Sequence, residues 1–76
     1  DEVYANVWQT NDIVRIDAAT GVVEAIIDAT ELAREVERAD VDVLNGIAYM
    51  PESRRFLVTG KHWPTMFEVT FERARP

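Results

Sequence analysis

Apolar residues recur at every second position in this chain, in runs of five to eight residues separated by turn chemistry. That pattern constrains the fold to short β-strands, because a helix repeats its apolar face every three to four residues instead. In the first run, Val3 to Trp8, Val3, Ala5 and Val7 share one face and Tyr4, Asn6 and Trp8 the other. Gln9 to Asp12 reads as a polar turn, and Ile13 to Asp17 as the next strand, with Ile13 and Arg15 on one face. Asp17-Ala18-Ala19-Thr20-Gly21 predicts a tight turn: the Asp side chain can accept amide hydrogen bonds two residues on, and Gly supplies positive φ. Val22 to Ile27 returns as a third strand, completing a meander.

The pattern changes after Asp28. Thr30 to Ala39 is rich in Glu, Ala, Leu and Arg, which favour helix. Asp28 and Glu31 have capping-box spacing. Leu32, Val36 and Ala39 make a thin apolar stripe, and Glu31 with Arg34 and Glu35 with Arg38 are favourable i,i+3 pairs. A short helix or helical loop is predicted, more a solvated connector than a partner-binding helix. Leu44 to Met50 is the fourth predicted strand, Met50 to Arg54 a turn, and Phe56 to Gly60 the fifth strand. After a loop at Lys61 to Pro64, Thr65 to Glu72 is the sixth, with Phe67, Val69 and Phe71 on one face. Arg73 to Pro76 is expected to fray. The pattern of Ile13 to Asp17 returns at Met66 to Thr70, about 50 residues later, a period compatible with propeller blades.

With 76 residues the chain is one small domain or a piece of a larger one. Domains of that size bury only about 60 % of their unfolded surface, so another chain or segment would add stability. The net charge of −6 argues against a nucleic-acid backbone or anionic lipid as partner. No apolar run approaches the roughly 20 residues that span a membrane, and Asp1-Glu2-Val3 does not open a signal-peptide pattern. The absence of cysteine excludes disulfides and thiolate metal sites, and one histidine cannot build a multi-histidine zinc centre. Asp40-Val41-Asp42 begins like a calcium loop, but Leu44 and Asn45 break the spacing. No metal and no cofactor are expected.

Two segments hold both tryptophans, the only lysine and the only histidine: Ala5 to Thr10 and Val58 to Pro64. Flat apolar walls and a few polar groups at strand ends are what a binding site on a β scaffold needs. By pattern alone, Trp8 reads as a core or interface residue, Lys61 as solvated surface, and Asn45-Gly46 as a turn.

The stretches Glu2-Val3-Tyr4-Ala5-Asn6-Val7-Trp8-Gln9-Thr10, Asp42-Val43-Leu44-Asn45-Gly46-Ile47-Ala48-Tyr49, Phe56-Leu57-Val58-Thr59-Gly60-Lys61-His62-Trp63-Pro64 and Met66-Phe67-Glu68-Val69 settle those readings differently. In that order, nearly end to end, they resemble motifs of the bacterial and plant glutamine cyclotransferases. Tyr4 stands where the family usually has Trp. The helical stretch is the least similar part.

The resemblance implies a mainly β fold: antiparallel meanders forming about one and a half blades of a five-bladed β-propeller, with one short helix or helical loop. Residues 1–28 would be three strands of the penultimate blade, 29–43 a helical connector, and 44–76 three strands of the last blade. It implies a metal-independent acyl transfer in which the α-amine of an N-terminal glutamine attacks its own side-chain amide carbon, forming pyroglutamate and releasing ammonia. Such chemistry needs an acid/base group to shuttle the proton, a donor for the developing oxyanion and a wall that folds the substrate. The resemblance assigns Lys61 as the catalytic cation, Trp8 as a wall of the substrate pocket and Asn45 as a hydrogen-bonding group on the channel-facing strand. His62 is read as surface, and Trp63 with Pro64 as packing at a blade edge.

The family's acid/base glutamate belongs to an earlier segment that these 76 residues do not contain. The expectation is therefore a C-terminal part of a glutaminyl-peptide cyclotransferase, inactive by itself. Its partners would be N-terminal glutaminyl peptides and the missing blades, or further copies through exposed strand edges. The alternative is a non-catalytic, self-associating β domain. Family likeness implies a periplasmic or secreted location.

Overall fold

In the computed structural model, which describes residues 1–36 and 41–72, the alternating runs fold into strands. They are β1 (Glu2–Asn6), β2 (Asp12–Asp17), β3 (Val23–Asp28), β4 (Leu44–Met50), β5 (Arg55–Gly60) and β6 (Phe67–Val69), with α1 (Thr30–Glu35) between β3 and β4. The class is mainly β. Two three-stranded antiparallel sheets form, in the orders β1-β2-β3 and β4-β5-β6.

Local chemistry fixes the first sheet. Asp17 Oδ1 accepts hydrogen bonds from the amides of Ala19 at 2.8 Å and Thr20 at 3.1 Å, and Gly21 takes φ 77°, as the turn chemistry predicts. The other end of β1 differs from expectation. The strand stops at Asn6 because the Thr10 hydroxyl donates to the Val7 carbonyl at 2.7 Å and accepts from the Asp12 amide at 3.1 Å. Gln9 completes that turn with φ 65°, so Trp8 lies on a loop rather than a strand.

The sheets pack face to face over a core of Ile13, Leu44, Phe56 and Val58, joined by Tyr4, Ile27, Ile47, Val69 and Phe71. Phe56 is its hub. Its ring lies 4.7 Å from Tyr4, 4.5 Å from Phe71 and 5.0 Å from Tyr49. Tyr4 projects from the first sheet and the other three rings belong to the second sheet or its continuation, so aromatic contact fastens one layer to the other. Alternation thus buries the Tyr4 face of β1 and leaves the more apolar face outward: Val3 is 49 % and Ile26 69 % exposed.

The connector forms a shorter helix than predicted. Asp28 accepts hydrogen bonds from the amide and hydroxyl of Thr30, not from the Glu31 amide, so the capping box is replaced by a tighter turn. Ala29 occupies the N-cap position, and its amide is held by the Asn11 carbonyl at 2.7 Å. Val36 is buried, Leu32 packs on the core, and Arg34 meets Glu31 at 3.5 Å. Ala39, Arg38 and its expected pairing with Glu35, and the Arg73–Pro76 tail lie outside the described residues. β6 is shorter than the predicted span, yet Phe67, Val69 and Phe71 do share the more buried face.

Candidate functional site

The β4–β5 ladder continues past both strands and ends in the lysine-bearing turn. The Asp42 amide donates to the Lys61 carbonyl at 2.9 Å, and the Lys61 amide donates to the Val43 carbonyl at 2.9 Å. The chain then reverses: the Trp63 amide donates to the Gly60 carbonyl at 3.1 Å, and His62 takes φ 63°. Positive φ at the third position of a four-residue turn is the signature of type II geometry. Lys61 therefore stands at the tip of a tight turn, its backbone held by the ladder to Asp42 and Val43 and the turn closed by the Trp63 amide.

Trp63 closes the turn from above. Its indole N–H donates to the Asp42 carbonyl at 2.8 Å, and its ring meets Phe67 edge-on at 6.2 Å. The predicted packing role of Trp63 is thus joined by a polar one. The Asp42 side chain accepts from the Val43 amide through Oδ1 at 2.8 Å, while Oδ2 faces Lys61 Nζ at 4.0 Å. His62 is exposed, as the sequence suggests.

Asn45 owes its orientation to a β-bulge. Leu44 opposes Gly60 and Gly46 opposes Thr59, leaving Asn45 as the extra residue. The bulge resets alternation, so Leu44 and Ile47, three residues apart, both pack toward the core while Asn45 stays exposed. Gly46 lets the strands approach there: a Cβ would lie 2.9 Å from Thr59 Cγ2, and that methyl would have to move. Bulges often re-aim side chains beside active sites.

Trp8 is 76 % exposed, on the β1–β2 loop. That loop, the start of β4 and the end of β5 lie at one end of the two sheets. An open pocket of about 270 Å³ lies there, lined by Asn11, Thr30, Ala33, Arg34, Val41, Asp42 and Trp63; Trp8, Asn45 and Lys61 are not among its lining residues. The fold thus brings Trp8, Asn45 and Lys61 to the same end. Among the described residues no hydrogen bond ties these three side chains to one another. No group of three or more His, Cys, Asp or Glu side chains among them converges as a metal site requires.

A second polar cluster lies at the opposite end. Arg15 Nε pairs with Glu2 at 3.1 Å and with Glu24 at 3.5 Å, where a bulge between Arg15 and Ile16 turns the extra residue toward the arginine. A hydrogen bond shared with Glu2, then desolvation, holds the Glu24 carboxyl above its ordinary range. A raised carboxyl is often an acid/base group. Glu24, however, stands four residues before the end of β3, about 13 Å down the strand from the Lys61 end.

Asp42 and Gly46 escape sequence reasoning as site elements. Asp42 and Lys61 are far apart in sequence, and no spacing rule links them; their juxtaposition appears only once the ladder is built.

Comparison with known proteins places these features in a lineage. The family model for glutamine cyclotransferase matches residues 1–71. The glutaminyl-peptide cyclotransferase of Arabidopsis thaliana is 38 % identical over 77 aligned residues, covering 97 % of this chain and 24 % of the plant protein. The crystal structure of the Myxococcus xanthus glutaminyl cyclase superimposes with a TM-score of 0.85 at 46 % identity, covering 93 % of this chain and 32 % of that one. The chain thus spans about a quarter of the plant relative's length and about a third of the bacterial one. With its motifs, its two sheets and these relatives in agreement, the chain belongs to the glutamine cyclotransferase family.

Proposed function

We propose that this chain forms the C-terminal part of a glutaminyl-peptide cyclotransferase and supplies one side of its substrate pocket. Residues 1–28 and 44–76 contribute three strands each to two adjacent blades of a five-bladed β-propeller, with 29–43 as the connector. The observation that carries this reading is the family match over residues 1–71, in a fold that puts the Trp8 loop, the Asn45 bulge and the Lys61 turn toward the same end of its two sheets.

In the reaction, the α-amine of an N-terminal glutamine attacks the side-chain amide carbon and closes the ring in a tetrahedral centre; the amine's proton passes to the amide nitrogen, which departs as ammonia as the carbonyl re-forms. The Lys61 ammonium stabilises the oxyanion that develops on the amide oxygen. The exposed indole of Trp8 is a flat wall against which the flexible side chain folds into its cyclising shape. Asn45 offers a polar contact to the substrate. The proton shuttle is assigned to the family's glutamate outside these 76 residues, as the resemblance implies; the raised Glu24 stands at the other end of the sheet. By itself the chain is then not a competent cyclase. No metal enters this scheme.

The exposed sheet face supports incompleteness. Val3 pairs across to Ile16 and Val23, and Ala5 to Val14 and Ile26, so most of one face of the first sheet is apolar, with Asp12 and Asp28 at its end. Further blades cover it in the complete propeller, and copies of the chain can pair there in their absence. The test is cyclisation of a glutaminyl peptide, followed by ammonia release, in the complete protein carrying this chain. Lys61→Ala is expected to lower kcat by about 10²–10³, and Trp8→Ala to lower kcat/KM. A complete protein that leaves glutaminyl peptides unchanged would refute the assignment.

A further inference from the structure

We infer that Asp42 is the positioning residue for Lys61, acting through the lysine on the reacting amide; this rests on the proposed role of Lys61. Every polar group of Asp42 is engaged in the same small assembly. Its amide holds the Lys61 carbonyl, its carbonyl is held by the Trp63 indole, Oδ1 takes the Val43 amide, and Oδ2 faces the Lys61 ammonium.

The pair is not there for stability. Both side chains are about half exposed, 56 % for Lys61 and 51 % for Asp42, and pairs so solvated contribute little to folding. What the carboxylate supplies is direction. A lysine stem is long and flexible, so an ammonium at the tip of a turn samples many positions unless a fixed anion restricts it. Asp42 is such a fixed anion. Its backbone is held by the Lys61 carbonyl and the Trp63 indole, and its carboxylate by the Val43 amide. Oxyanion stabilisation depends steeply on placement: an error of about 1 Å can cost about 100-fold in rate.

Asp42→Asn isolates this effect, because the amide oxygen still accepts from the Val43 amide while the charge is lost. In the complete protein, kcat is expected to fall about tenfold with KM and the unfolding midpoint unchanged. In a Lys61→Ala background the same substitution is expected to have no further effect, because the group it positions is gone. If Asp42→Asn disturbs folding, Trp63→Phe reads the same coupling: the ring remains but the indole donor to Asp42 is lost, and its kcat defect also vanishes in the Lys61→Ala background. An Asp42→Asn protein as fast as the parent overturns the inference. So does a kcat defect that persists undiminished without Lys61, which would mark Asp42 as merely structural. An inactive parent, or one indifferent to Lys61→Ala, overturns the proposed function itself and this inference with it.

Discussion

The indole of Trp63 lies against the backbone of Gly60 so closely that a Cβ at position 60 would overlap the ring. The contact explains why a glycine ends β5 just before the lysine. It also predicts that Gly60→Ala is one of the costlier single-methyl additions in the chain. Overpacking usually costs about 1–3 kcal/mol, and this ring is rigid and hydrogen-bonded, so the upper end is expected. Denaturant unfolding measures the loss. The substitution also displaces the Lys61 turn, so kcat in the complete protein falls by more than the stability loss explains. Parent-like stability would mean the ring can swing aside.

The two layers depend on Phe56 more than on any other aromatic residue. It is 8 % exposed and touches rings from both sheets. Phe56→Ala is expected to cost about 3–5 kcal/mol, and Phe56→Leu clearly less, because only the latter refills most of the volume. Denaturant midpoints and the near-ultraviolet circular dichroism of the Tyr4–Phe56–Phe71 stack would report both effects. Equal losses from the two substitutions would show that ring stacking, not volume, sets the cost.

These elements were not equally legible in the sequence. Phe67, Val69 and Phe71 announce their face because nothing interrupts their alternation, and the Asp17 turn follows from Asp and Gly chemistry alone. The end of β1 is hidden in the sequence because Val7 and Trp8 continue the period of two, while the hydroxyl of Thr10 and the positive φ of Gln9 override it. The bulge at Asn45 is hidden for a related reason. An inserted residue looks like any other until Gly46 meets Thr59 across the ladder. Trp8, Asn45 and Lys61 are singled out by family resemblance alone, since by pattern Trp8 reads as core or interface, Lys61 as surface and Asn45-Gly46 as a turn. Asp42 needed the fold.

Stability should respond to pH with two opposing contributions. Glu24 is raised by its hydrogen bond with Glu2, against the pull of Arg15. A carboxyl raised by folding contributes its stability below the unfolded pKa and loses it as pH climbs through the folded one. Asp28 is lowered by the Thr30 hydroxyl and amide, so its contribution is present above the ordinary aspartate range and is lost as pH falls through the folded value. Glu24→Gln is therefore expected to raise the unfolding midpoint near neutrality and to leave it unchanged once the carboxyl is protonated. Asp28→Ala should lower the midpoint at neutrality and matter less in acid. A Glu24→Gln protein less stable at neutral pH would show that the ion pair with Arg15 outweighs the carboxyl–carboxyl contact.

Ile26 offers the sharpest test of whether other blades complete this fold. It sits across from Val14 on the outer face of the first sheet and is 69 % exposed. If that face is free, Ile26→Asp removes an apolar group from water and adds charge to a chain already at −6, so solubility rises at little cost in stability. If the preceding blade covers it, the same substitution buries an unpaired carboxylate against Val3, Val14 and Val23 and costs several kcal/mol. Both outcomes are expected, each in its own setting: a gain in solubility for the 76-residue chain and a large loss of stability for the complete protein. Parallel unfolding and sedimentation of the two forms decides the matter. A complete protein that tolerates aspartate at position 26 would leave this face open to water and would count against the proposed propeller arrangement.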